Sequence, residues 1–169
     1  MPALVEQIST EPVPTNARAA FAYDKSASIV VPNTMVVDMT TITNLTHFFE
    51  NCSSLKSLTL PGGFGSVATD INNCFSGCKG LVSLTLPARF GSNATNIHTC
   101  FYNCSSLKSL TLPDGFGSNA TNINNCFSGC KGLVSLTLPA GFGSVAKEIR
   151  RSFYTCVNLV DLHLPEGFG

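Results

Sequence analysis

The chain has 169 residues, with ten Lys+Arg against ten Asp+Glu, so it is formally neutral. Only 12% of it is charged, about half the ~25% usual for soluble domains. That composition excludes the basic stripe that a nucleic-acid partner or an anionic membrane surface requires, and no stretch reaches the ~18 apolar residues of a membrane span.

The first residues, Met1-Pro-Ala-Leu-Val-Glu-Gln-Ile8, carry no basic start followed by an apolar run, so no export signal is read there. Residues 1 to 28 match no repeat and are expected to form a cap or attachment segment. A degenerate repeat, 29–48, begins near Ile29-Val-Val-Pro32. From there a unit of 26 residues takes over, starting near Phe49, Phe75, Phe101, Phe127 and Phe153 and making 29–169 one repetitive body. The segment Phe75-Ser-Gly-Cys-Lys-Gly-Leu-Val-Ser-Leu-Thr-Leu-Pro87 recurs letter for letter at Phe127 to Pro139. A fixed period of this size is the signature of a solenoid, in which each repeat buries its apolar face only against its neighbours.

Within each unit the elements follow in a fixed order. Cys52, Cys78, Cys104, Cys130 and Cys156 share one column, and Leu58, Leu84, Leu110, Leu136 and Leu162 another. The run Leu58-Thr59-Leu60 alternates apolar and polar, the period of a strand with one buried face. Pro61 and its equivalents end that strand, because proline has no N–H to donate. Stacked copies predict one parallel sheet with rungs ~4.8 Å apart. A second aromatic column, Phe64, Phe90, Phe116, Phe142 and Phe168, follows each strand in a Gly-rich turn. The stretch Asn73 to Gly80 puts Cys74 and Cys78 four apart and predicts a short helical turn opposite the strand. The expected fold class is thus an α/β solenoid.

A longer period lies over the first. Cys-Ser-Ser-Leu-Lys-Ser at Cys52 and Cys104 alternates with Cys-Lys-Gly-Leu-Val-Ser at Cys78 and Cys130, so pairs of coils, 52 residues, form the duplicated unit. At the far end the outward Ser-x-Thr becomes Asp161-Leu-His163. Charges on a last rung discourage edge-to-edge pairing.

The unit fits the leucine-rich core Leu-x-x-Leu-x-Leu. With Cys-Phe-x-x-Cys before it and Pro after it, the repeat resembles the BspA-like leucine-rich repeats of bacterial and protist surface proteins. The resemblance implies a curved right-handed superhelix, a parallel sheet on one face and short helical turns on the other. It also implies a role in adhesion or protein recognition at a cell surface. Cys74, Cys100 and Cys126 stand where that family usually has Ala.

The eight cysteines fall in two core columns, where the expectation is buried free thiols; disulfides and a metal site are the less favoured readings. No Gly-rich phosphate loop, paired carboxylates or nucleophile triad is present, so neither an enzyme nor a cofactor is expected. The candidate binding residues are the outward strand positions Ser57, Thr59, Ser83, Thr85, Ser109, Thr111, Ser135 and Thr137, with Lys56, Val82, Lys108 and Val134 beside them. This face predicts a non-catalytic scaffold for a protein or glycan partner, bound mainly by shape and hydroxyl hydrogen bonds. The alternative is a virion- or surface-layer-like subunit that self-associates through its N-terminal segment or the solenoid ends. A third reading, ice binding, rests on the regular hydroxyl grid alone.

Overall fold

The computed structural model describes residues 20–30 and 42–169. Residues 1–19 and 31–41, which hold much of the expected N-terminal segment and of the degenerate repeat, lie outside the described residues. Six three-residue strands follow in order: β1 Ser28–Val30, β2 Ser57–Thr59, β3 Ser83–Thr85, β4 Ser109–Thr111, β5 Ser135–Thr137 and β6 Asp161–His163. In β3 and β5 the central Leu84 and Leu136 are buried, while Ser and Thr on either side face water. The alternating sequence thus places itself as its period requires.

The single parallel sheet expected from stacking is not what forms. The strands pair two by two, β1 with β2, β3 with β4 and β5 with β6, each parallel and in register. The split follows the 52-residue alternation. Where a Gly-type coil is followed by a Ser-type coil, the Lys108 N–H reaches the Val82 carbonyl at 2.8 Å and the strands zip together. At the opposite junction Gly80 presses on the preceding coil, and a Cβ there would sit 2.9 Å from the Leu55 carbonyl oxygen. Gly132 is equally close to Leu107, at 2.8 Å. The coils pinch together just ahead of these strands, and β2 and β3, like β4 and β5, stay unpaired.

The short helical turns also differ from expectation; among the described residues there is no helix. Left-handed residues recur four apart in this segment, Asn73 (φ 56°) then Gly77 (φ 75°), Asn125 (φ 53°) then Gly129 (φ 79°). A helix needs consecutive right-handed residues, whereas Asn and Gly tolerate the left-handed well. The chain instead makes successive tight turns, with Phe48, Glu50 and Cys52 N–H bonded three residues back. The intervening N–H groups of Leu45, His47, Phe49 and Asn51 reach carbonyls of the next coil at 2.7–2.9 Å. This arc is therefore half turn and half ladder. Bridges Asn44–Asp70–Asn96–Asn122–Glu148 continue that ladder through five coils without a break.

Two aromatic columns fill the interior. Rings of Phe49, Phe75, Phe101, Phe127 and Phe153 stack at 5.4–5.5 Å. Those of Phe64, Phe90, Phe116, Phe142 and Phe168 stack at 5.9–6.3 Å, all within 13° of parallel. Burying each full ring contributes on the order of 2–3 kcal/mol. Phe21 stacks on Phe49 at 5.5 Å and so covers the N-terminal end of the first column. Gly117 (φ 70°) shows why glycine follows each Phe of the second column, since a Cβ there would lie 2.6 Å from the Phe142 ring.

All eight cysteines are free thiols, and all but Cys156 are buried. One column has a specific task. The Sγ of Cys52, Cys78, Cys104, Cys130 and Cys156 donate to the carbonyls of Phe21, Phe49, Phe75, Phe101 and Phe127 in the preceding coil, at 2.9–3.2 Å. A thiol is a weak donor, but it fits an apolar site where an unbonded carbonyl lone pair would otherwise face hydrocarbon. Burial pushes the Cys74, Cys100 and Cys126 thiols well up. A hydrogen bond from the neighbouring thiol, with burial behind it, does the same for Cys78 and Cys104. The bond between Cys52 and Cys78 holds Cys52 below its ordinary value. Burial raises Cys156 to about 11.

Two outcomes follow from this packing. Arg89 occupies a left-handed turn position (φ 65°) that is Gly63, Gly115, Gly141 and Gly167 in the other coils. Arg89→Gly is expected to stabilise the fold by about 1 kcal/mol, or a rise in melting temperature of roughly 2–4 °C; an unchanged or lower temperature in a thermal melt would disprove the strain. For the thiols, folded values above the ordinary 9.0 mean that unfolded chains lose protons first as pH rises. Their contribution is complete below pH 9 and is lost as the pH climbs towards 11 and beyond, so urea midpoints should be level from pH 7 to 8.5 and then fall. A Cys156→Ser variant should fall less steeply between pH 9 and 11, and identical slopes would show that partial burial does not raise this thiol.

Candidate functional site

All twelve outward residues singled out from the sequence are solvent-exposed. Strand register sets Ser83 beside Ser109 and Thr85 beside Thr111. Ser57 lies beside Ser28, their hydroxyls 3.0 Å apart. Val82 and Val134 are 44% and 51% exposed, which leaves apolar contact area on the strand margin. The two-by-two pairing means that these residues do not form one uniform grid. Ser109 and Thr111 belong to one pair of strands, Ser135 and Thr137 to the next.

Between those two pairs lies a cleft of about 440 Å³. Its walls are Lys108, Ser109 and Thr111 of the β4 coil and Ser135 and Thr137 of β5; Leu110, Leu112, Leu136 and Pro139 line its apolar part, and Asp114 stands at one end. Unpaired strand margins thus frame a concave strip with hydroxyls along both sides. Lys108 precedes β4 and Asp114 follows it, so the cleft carries a cation and an anion at opposite ends.

Five of the twelve predicted residues line this cleft. Lys56, Ser57, Thr59, Val82, Ser83, Thr85 and Val134 lie on the same face outside its lining. The sequence reading missed Asp114 and the leucines. Asp114 had a visible signal, because the same repeat position is Gly62, Ala88 and Ala140 in the inner coils. The leucines were read as wholly internal, and only the split between β4 and β5 brings them to the cleft.

Other polar columns have structural work. Thr69, Thr95 and Thr121 donate their hydroxyls to the carbonyls of Thr43, Thr69 and Thr95 in the coil before. Asn93 and Asn119 donate Nδ2 to the Ser66 and Ser92 carbonyls at 3.0 and 2.7 Å. Asn44 caps its own turn by accepting from the Thr46 N–H. His47 and His98 are half-buried, and His47 Nδ1 lies 3.0 Å from Glu50 Oε2. Among the described residues no three His, Cys, Asp or Glu side chains converge to hold a metal ion. Among the same residues no helix is long and apolar enough to cross a membrane.

Comparison with known proteins adds the family to this geometry. Among solved structures the chain is similar to a leucine-rich repeat protein from Bacteroides ovatus, with 24% identity and a TM-score of 0.48 over 85% of this chain and 39% of that one. It is also similar to a leucine rich cell surface protein from Faecalibacterium prausnitzii, at 16% identity and a TM-score of 0.32, covering 86% of this chain and 62% of that chain. A third is the leucine rich repeat protein of T. pallidum, at 19% identity and a TM-score of 0.39, covering 84% and 72%. The chain therefore spans less than two thirds of the first two of these proteins. No curated protein sequence matches it. A family model described as a BspA type leucine rich repeat region in six copies matches residues 16–146 and 96–169, which together take in all six strands. The chain belongs to the BspA-type leucine-rich repeat family.

Proposed function

We propose that this protein is a non-catalytic recognition or adhesion module that takes a protein or glycan partner on its strand face, centred on the cleft between β4 and β5. The observation that carries this reading is the cleft itself, where Lys108, Ser109, Thr111, Ser135 and Thr137 meet around a leucine-lined hollow. Leucine-rich repeats generally serve protein binding, and this family's repeats make up most of the chain. A right-handed winding, implied by the family resemblance, belongs to the same reading. Hydroxyls supply donors and acceptors at low desolvation cost, the leucines supply apolar area, and Lys108 and Asp114 fix polarity along the cleft. An ordered ice lattice is a poor match, because alternate strand pairs interrupt the regular spacing it would need.

Lysine at Thr111 and Thr137 fills the cleft and adds unmatched charge, while both side chains stay in water when nothing is bound. Ligands selected on the wild-type chain from a displayed peptide library and a glycan array are expected to bind the Thr111→Lys/Thr137→Lys variant at least roughly tenfold more weakly. Thr59→Lys, outside the lining, should leave them unaffected. Selected ligands that bind the double variant as tightly as the wild type would move the site off this cleft.

A further inference from the structure

The cleft between β4 and β5 is edged by backbone groups as well as side chains. In β4 the Ser109 N–H reaches the Val82 carbonyl, and the Thr111 carbonyl accepts from the Leu86 N–H, so these two residues face β3. A parallel ladder turns alternate residues to opposite sides, which aims the Leu110 N–H and C=O towards β5. In β5 the Val134 carbonyl accepts from the Val160 and Asp161 N–H groups, and the Leu138 N–H reaches the His163 carbonyl. Ser135 and Thr137 therefore turn their own backbone groups towards β4. β4 and β5 do not pair, and none of these groups has a backbone partner among the described residues. Unpaired amides along a strand margin are what an extended peptide takes up when it docks there.

The charges at the two ends are particular to this coil. Lys108 and Asp114 both line the cleft, and both are exposed. The same two repeat positions are Lys56 and Gly62 around β2, Val82 and Ala88 around β3, and Val134 and Ala140 around β5. No other inner coil has charge at both. Neither side chain is in an ion pair with another described residue, and Arg89, in the coil before, lies outside the lining. The apolar part of the cleft is aliphatic, with no aromatic ring. A neutral sugar chain has no charge to set against either end, and its C–H faces would find no ring to stack on.

Resting on the reading of this cleft as the binding site, we infer that its occupant is an extended peptide segment of a partner protein, with a carboxylate against Lys108, an aliphatic side chain over the leucines and a cation against Asp114. The peptide's amides meet the unpaired groups of Leu110, Ser135 and Thr137 and the hydroxyls of both walls. Its side chains alternate between the hollow and water, as those of any extended strand do. The charged ends fix which way round it lies, because the reversed peptide would set like charges together at both ends.

The test is selection from a displayed random peptide library on the full 169-residue chain, as wild type and as the charge-exchanged variant Lys108→Glu/Asp114→Lys. Peptides taken by the wild type are expected to share an acidic and a basic residue flanking an aliphatic one, in one order. Those taken by the variant should show the opposite order. Synthetic peptides of the first set should bind the variant at least roughly tenfold more weakly. The reversal is a gain that a misfolded variant cannot show, and matched melting temperatures check the fold independently. Peptides with no charge order, an order that does not reverse, or capture of glycans alone from an array would overturn the inference. In each of those cases, ligands lost from Thr111→Lys/Thr137→Lys still leave the cleft as the binding site. Ligands indifferent to that double variant remove the cleft and the peptide together.

Discussion

Each coil is fastened to the next at the Phe-x-x-Cys step of the arc opposite the strands. The Phe75 N–H donates to the Cys100 carbonyl of the following coil at 2.8 Å. Its own carbonyl accepts the Cys78 N–H, which closes a turn, and the Cys104 thiol, which comes from the next coil. One residue thus spends both backbone groups and its ring on the stack. Backbone hydrogen bonds hold rungs near 4.8 Å, yet the second ring column settles at about 6 Å. The arc keeps its ladder intact, and the strand side releases its pairing at every second junction, where Gly80 and Gly132 press on the coil before.

That release shapes the face on which recognition is proposed. A continuous six-stranded sheet would present the Ser and Thr columns as a flat lattice with its leucines sealed beneath. Splitting into pairs leaves two unpaired junctions, and at the second of them the leucines of β4 and β5 reach a cleft. The glycine that tightens each such junction, Gly80 or Gly132, sits in the Gly-type coil alone. A 52-residue period in the letters therefore becomes a 52-residue period in the strand pairing.

Much of this was legible in the sequence, for reasons that can be traced to particular residues. Leu84 flanked by Ser83 and Thr85 can only be a strand with one buried side, and Phe75 recurring at Phe101 and Phe127 can only be a stacked core. The helical turn was misread because Cys74 and Cys78 are spaced as on a helix, while the residues that decide the matter are Asn73 and Gly77. Their left-handed conformation turns the same spacing into two tight turns. The unbroken sheet was misread because pairing depends on the approach of neighbouring backbones at Gly80, a contact between coils that no single repeat reveals. Asp114 was overlooked because the reading followed what repeats, and Asp114 breaks the repeat.

The same principle bears on the C-terminal coil. Near-identical repeats with little charge face a standing problem, since any strand margin resembles any other and wrong pairings cost little. In the inner coils each strand pairs with one neighbour, and the margins left between β4 and β5 border the cleft. At β6 the Ser and Thr of the repeat give way to Asp161 and His163, an acid and an imidazole 3.4 Å apart, so this margin no longer matches the hydroxyl margins of the inner strands.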